Sequence, residues 1–114
     1  MVRRKGDAMT GAYAFDCEYS STDRLHWRLN QMGGWKWSQG DSYWYGDYLA
    51  CIPFEGVRIR ICDFPGKSGE SYIYESDIRC RPECKTPMTE IDEAYRKMLA
   101  QIPAVNVREI EWFD

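Results

Sequence analysis

The sequence predicts an α+β fold, a two-layer sandwich in which a mainly antiparallel sheet carries two helices on one face. Residues 13–19 and 57–64 alternate apolar and polar side chains, which is the period of a half-buried strand. Two other segments, one early and one late in the chain, repeat their apolar residues at helical spacing. The resulting order β-α-β-β-β-β-α-β is typical of the ferredoxin-like βαββαβ pattern with an extra hairpin.

Length and composition predict a single domain. The chain has 114 residues, of which 44% are hydrophobic and 29% are charged, as in an ordinary globular protein. Residues 1–11 are largely polar and contain two glycines, so they are interpreted as a flexible leader. Residues 12–114 then form the α+β domain.

The first helix has a clear start and end. Ser21 is a favourable N-cap, and the Gly-Gly pair at 33–34 stops the helix. Leu25 and Leu29 lie one turn apart on a single apolar stripe. At about 100° per residue, Trp27 points roughly 160–200° away from both leucines. We therefore expect Trp27 to face outward, where the leader covers it or where it belongs to a contact surface.

The second helix is predicted over 86–103, with Thr86 as its cap, Pro87 in its first turn and Pro103 at its end. We also predict a short strand that starts at Trp35, and further strands at 48–54, 71–78 and 104–113. Turns are predicted at 39–42 and 64–70, and a bulge is predicted near Arg108 and Glu109.

The predicted arrangement also places charged residues opposite each other. In it, the first strand lies beside the 57–64 strand. Asp16 and Glu18 would then face Arg58 and Arg60 as cross-strand pairs of opposite charge.

Net charge and apolar runs restrict the classes of partner. A net charge of −3 and a pI near 5.2 argue against nucleic acid, whose binding proteins usually carry a basic patch. No apolar stretch approaches the ~18 residues of a membrane span, and the basic start is not followed by the apolar run of a signal peptide. We therefore expect a cytoplasmic protein that binds neither membranes nor nucleic acid.

The five cysteines fit a reducing compartment. Cys17, Cys51 and Cys62 fall within apolar-patterned strands and are expected to be buried free thiols. Cys80 and Cys84 lie four apart in a predicted loop, which leaves a disulfide or half of a metal site open. Because structural zinc needs four ligands and the chain has one histidine, no metal or cofactor is expected.

No motif in the sequence indicates a named chemistry. The single histidine, His26, lies at the edge of the helical stripe and is interpreted as a boundary residue. The GKS at 66–68 lacks the earlier glycine of a phosphate loop, because position 61 is isoleucine. We assign no catalytic residue, and the sequence favours a non-enzymatic protein.

The segment 33–48 holds three tryptophans, three tyrosines and four glycines in sixteen residues. Rings that bury about 150–250 Å² each would crowd a core of this size, so several should reach the surface. Tryptophan and tyrosine dominate binding hot spots in protein interfaces. The expected partner-binding residues are Trp27, Trp35, Trp37, Trp44 and Tyr45, rimmed by Asp41 and Asp47.

These features favour a protein-binding module that acts by occluding a partner's surface, as immunity-type and inhibitor-type proteins do, including phage-encoded inhibitors of host defence. The alternative is a small polar-ligand site, or a small enzyme, that uses an aromatic-lined pocket on the sheet face. There Asp16, Arg58 and Arg60 would orient the ligand. Self-association through the exposed rings into a homodimer is compatible with both hypotheses.

Overall fold

The structure is a computed structural model that describes residues 8–19, 21–42, 46–63 and 72–110. These residues form six strands and two helices, which confirms the predicted α+β class. In chain order the elements are β1 (Ala8–Cys17), α1 (Thr22–Met32), β2 (Ser38–Ser42), β3 (Gly46–Phe54), β4 (Val57–Asp63), β5 (Tyr72–Cys80), α2 (Met88–Gln101) and β6 (Val105–Glu109). Neither helix in the described ranges has the length and apolar character needed to cross a membrane.

The strands form one antiparallel sheet in the order β2-β3-β4-β5-β1-β6. The part β6-β1-β5-β4 has the strand order of a ferredoxin-like domain, and β2 and β3 extend the sheet beyond β4. The expected pairing of β1 with the 57–64 strand, now β4, is wrong, because β5 lies between them. The connection through α1 leaves a gap beside β1, and the antiparallel return strand β5 fills it.

Alternation along the strands separates a helix-covered face from an opposite face. On β5, Tyr74, Ser76 and Ile78 point to the helices and are 2% exposed or less. The apolar stripes of both helices join this face in one hydrophobic core. The largest fully buried side chains are Phe15, Leu25, Leu29, Leu49, Ile59, Ile61, Tyr74, Ile78, Ile91, Tyr95, Leu99 and Ile102.

Buried hydroxyl groups attach α2 to the centre of the sheet. Tyr95 Oη donates to Ser76 Oγ at 2.5 Å, and Ser76 Oγ donates to the carbonyl oxygen of Tyr13 at 3.5 Å. The rings of Tyr13 and Tyr95 lie 5.6 Å apart, and the Tyr13 hydroxyl donates to Asp92 in the second turn of α2. Because both hydroxyls of the buried Tyr95–Ser76 pair are satisfied, the pair adds specificity without an unpaired polar group.

The helix starts match the sequence in one case and differ in the other. Ser21 caps α1 as predicted, accepting a hydrogen bond from the Arg24 amide at 3.2 Å. At α2, Pro87 has an extended backbone and is itself the N-cap, without a side-chain cap bond. Thr86 is therefore not the cap, and the helix begins at Met88.

The QGDS segment at 39–42, predicted as a turn, lies in strand β2. The cause is Gly40, which faces Tyr48 across the ladder. A Cβ at position 40 would lie 2.5 Å from the Tyr48 ring, so glycine here permits a close approach rather than a turn. No strand is formed at Trp35, since the segment from 33 to 37 is irregular.

Two further boundaries differ at the termini. Strand β1 begins at Ala8, so residues 8–11 of the predicted leader belong to the sheet. The predicted bulge in β6 exists but lies at 106–107, where Asn106 has a φ of 54°. Residues 1–7 of the leader and the predicted turn at 64–70 lie outside the described residues.

We expect the buried thiols to make the stability fall in alkali. Burial raises the pKa of Cys17 to about 11 and that of Cys51 to about 12, from 9.0. Both shifts are upward, so their contribution is complete below about pH 9 and is lost as pH rises towards 11–12. Urea unfolding between pH 9 and 11 should show up to ~1.4 kcal/mol lost per pH unit for each thiol. Cys51→Ala should flatten this slope, whereas the half-buried control Cys84→Ala should not; equal slopes in the two variants would contradict the assignment.

Candidate functional site

The structure divides the predicted aromatic surface. Trp27 points outward from α1 as predicted and is 61% exposed. Trp37 is only 5% exposed and belongs to the core, so it is removed from the contact surface. The buried position is reinforced by His26, whose Nε2 lies 3.0 Å from the carbonyl oxygen of Trp37. Trp44 and Tyr45 lie outside the described residues.

Trp35 is half-buried and lines a pocket of about 240 Å³ between the C-terminal end of α1 and the side of α2. Its ring meets Phe54 edge to face at 6.2 Å. Met32 and Met98 complete the apolar lining from the two helices. The pocket that Trp35 and Trp37 line therefore lies on the helix side, and not on the opposite face of the sheet.

Helix spacing, one hydrogen bond and strand alternation relate Trp27 to the two predicted rim aspartates. Asp23 precedes Trp27 by four residues, which places both side chains on the same face of α1. Asp23 Oδ1 accepts a hydrogen bond from Gln39 of β2 at 2.7 Å. Gln39 and Asp41 share one face of β2, since strand side chains alternate with period two. We name these residues, from Trp27 to Asp41 and Asp47, the Trp27 strip.

Asp41 and Asp47 form a like-charge pair at the end of the strip. They are directly opposite each other in the β2–β3 ladder, and both are exposed. Like charges in this relation destabilise a sheet. Within the described part of the chain, neither carboxylate has a cationic partner. Their positions therefore leave negative charge that no described cation neutralises at the opposite end of the strip from the exposed indole of Trp27.

The three residues of the alternative ligand site do not come together. Asp16 lies on β1, where Oδ2 accepts from Asn106 at 2.8 Å and Oδ1 is 3.8 Å from Arg108. Arg60 lies two strands away on β4 and pairs with Asp77 at 3.2 Å. Arg58, on the same strand as Arg60, is exposed. The expected ion pairs between Asp16 or Glu18 and the β4 arginines are absent because β5 separates β1 from β4.

Sequence reasoning missed the residue that organises the opposite face of the sheet. Asp77 is 1% exposed and lies between the guanidinium groups of Arg60 and Arg79, at 3.2 and 2.8 Å. A buried carboxylate requires such pairing, because an unpaired charge away from water is costly. The sequence signal was the RIR…SDIR pattern on successive strands. These residues form a cluster only in the observed β4–β5 register, which the sequence pattern does not specify.

No disulfide forms among the five cysteines, which includes Cys80 and Cys84. Cys17, Cys51 and Cys62 are buried as expected. Across residues 8–19, 21–42, 46–63 and 72–110, no group of three or more histidine, cysteine or acidic side chains is placed to hold a metal ion.

The chain matches no protein family model, no curated protein and no solved structure.

Substitutions of the buried Trp37 and of the exposed Trp27 should have very different effects on the stability of the protein. Trp37→Ala removes a core ring and should lower the free energy of unfolding by about 3–5 kcal/mol. Trp27→Ala removes an exposed ring and should change it by less than ~0.5 kcal/mol. Urea unfolding followed by far-UV circular dichroism measures both. Similar losses in the two variants would show that Trp27 is a packing residue.

Neutralising one aspartate of the like-charge pair should stabilise the protein. Asp41→Asn removes repulsion across the ladder and should raise the free energy of unfolding by about 0.2–1 kcal/mol at low salt. Asp23→Asn is the matched control, because it removes a favourable charge from the first turn of α1 and should destabilise by about 0.3–1 kcal/mol. Thermal unfolding at low and high salt measures both; no gain in Asp41→Asn would mean that the pair is not repulsive.

Proposed function

We propose that this protein is a non-enzymatic binding module that covers a basic functional surface of another protein with the Trp27 strip. The observation that carries the proposal is the exposed indole of Trp27, which shares a helix face with Asp23 and is related through Gln39 to carboxylates that no described cation neutralises. Trp44 and Tyr45 lie outside the described residues and remain predicted partner-binding residues.

The chemistry of the strip supports a basic protein partner. Tryptophan is enriched in hot spots because a large ring is desolvated when the partner covers it. Carboxylates at the edge of such a ring accelerate encounter with a positively charged face and set its orientation. The net charge of −3 acts in the same direction.

The mode of action that fits this surface is occlusion. A rigid helix face and a strand end require no catalytic group to block another protein's site. An immunity-type or inhibitor-type protein acts in this way, and a phage-encoded inhibitor of a host defence protein belongs to that class. A gene for a toxin or nuclease beside this one would support the proposal, and a metabolic operon would argue against it.

The test is capture of the partner by matched variants. The full chain is immobilised, incubated with lysate from its source cells, and the retained proteins are quantified by mass spectrometry. We expect a basic protein whose retention falls at least tenfold with Trp27→Ala, the effect of a hot spot of about 2 kcal/mol. Asp41→Asn combined with Asp47→Asn should reduce retention most at low salt.

Ile52→Ala is the matched control, since it removes a side chain that is 73% exposed on the opposite face of the sheet. Retention that is unaffected by Trp27→Ala, or that is lost equally with Ile52→Ala, would refute the Trp27 strip as the binding surface. Size-exclusion chromatography of the same variants decides whether the partner is a second copy. A dimer that dissociates with Trp27→Ala would replace the heterologous partner with a homodimer.

A further inference from the structure

A second pocket lies at the other end of the sheet, on the face away from the helices. Its volume is about 310 Å³, and it is lined by the β3–β4 turn, by the ends of β4 and β5, and by the loop that follows β5. The Arg81 amide donates to the Gly56 carbonyl at 2.8 Å, which joins the loop to the turn. Gly56 has a φ of 80°, and a Cβ there would lie 3.2 Å from Cys84. The wall of the pocket is therefore closely packed.

Three arginines converge on this pocket. Arg58 and Arg79 are directly opposite in the β4–β5 ladder, and Arg81 follows two residues later along the chain. Like charges in this relation are unfavourable unless an anion lies between them. Within the residues that the structure describes, the side chains of Arg58 and Arg81 have no hydrogen bond or ion pair.

Arg79 is held in place by the buried carboxylate of Asp77. Its Nε donates to Asp77 Oδ2 at 2.8 Å, and its side chain is 14% exposed. A guanidinium fixed in this way loses little conformational entropy when it binds. Asp77 thus positions one arginine, while Arg58 and Arg81 supply charge that the described part of the chain does not neutralise.

The other residues that line the pocket include one exposed apolar side chain and two carboxylates. Ile52 presents an exposed apolar side chain, which suits a carbon skeleton. Glu55 and Glu83 also line the pocket, and their carboxylates can accept hydrogen bonds from hydroxyl groups. When Asp77 and its second partner Arg60 are counted with the lining, four guanidinium groups and three carboxylates leave one net positive charge for an anion.

We propose that this pocket binds a small phosphate monoester. The phosphate oxygens lie among Arg58, Arg79 and Arg81, because guanidinium groups match phosphate geometry in paired hydrogen bonds. The hydroxyl-bearing part of the ligand faces Glu55 and Glu83. The pocket is separate from the Trp27 strip, so the proposal for the pocket does not depend on the proposed protein-binding function.

The test uses ribose 5-phosphate as the probe and follows backbone amide shifts of the full chain by nuclear magnetic resonance at constant ionic strength. We expect saturable shifts at Gly56, Arg58 and Arg81, tighter binding than for inorganic phosphate, and no binding of ribose. Arg58→Gln and Arg81→Gln should each weaken binding by about tenfold or more, the loss of one charge-assisted contact. Arg24→Gln removes the same charge from α1 and should leave affinity within about twofold.

Three results would overturn the proposal. These are no saturable shift with either phosphate compound, shifts that sodium chloride reproduces, and equal affinity in wild type, Arg58→Gln and Arg24→Gln. Because Arg58 and Arg81 are exposed and lack side-chain partners among the described residues, their glutamine variants should retain the wild-type melting temperature. Arg79→Gln is avoided as the primary test, since it leaves the buried Asp77 with one partner fewer.

Discussion

The hydrogen-bonded pair of Tyr95 and Ser76 is the interaction on which the rest of the structure depends. It joins α2 to β5, one of the two central strands, and through the carbonyl oxygen of Tyr13 it reaches β1, which lies between β5 and the edge strand β6. Apolar contacts alone tolerate small shifts of a helix over a sheet, whereas a buried hydroxyl pair has one satisfied geometry. The helix layer is therefore fixed in register with the strands that it covers.

The same strand fixes the opposite face through the next residue. Asp77 follows Ser76 and points away from the helices, where it binds Arg60 and Arg79. A one-residue slip of β5 would expose Ser76 and bury a carboxylate in the apolar core. Ser76 and Asp77 thus exclude other registers of β5, one on each face of the sheet. The positioning of Arg79 in the pocket is a consequence of this constraint.

The sequence was sufficient for the elements whose signal is local. Ser21 and the outward Trp27 follow from helical geometry, and the α+β class follows from the order of periodic segments. The sequence was insufficient where the conformation or burial of a residue depends on contacts with residues distant in the chain. Gly40 lies in a strand because Tyr48 covers it, and Trp37 is buried because the irregular segment before β2 returns to the core. The Asp77 cluster depends on the β4–β5 register, which local alternation does not specify.

Two like-charge pairs of opposite sign mark the two ends of the extended sheet. Asp41 and Asp47 oppose each other on the helix side, and Arg58 and Arg79 oppose each other on the far side. From the first pair to the turn beside the second is roughly 25 Å along β3 at ~3.3 Å per residue, well beyond the screening length in physiological salt. The charges of one pair therefore do not neutralise those of the other. The strand register that the core sets also keeps the two residues of each pair opposite each other. Asp41, Asp47 and Arg58 therefore have no side-chain partner of opposite charge among the described residues, whereas Arg79 is held by Asp77. This arrangement supports placing both proposed binding sites at the ends of the sheet rather than at its packed centre.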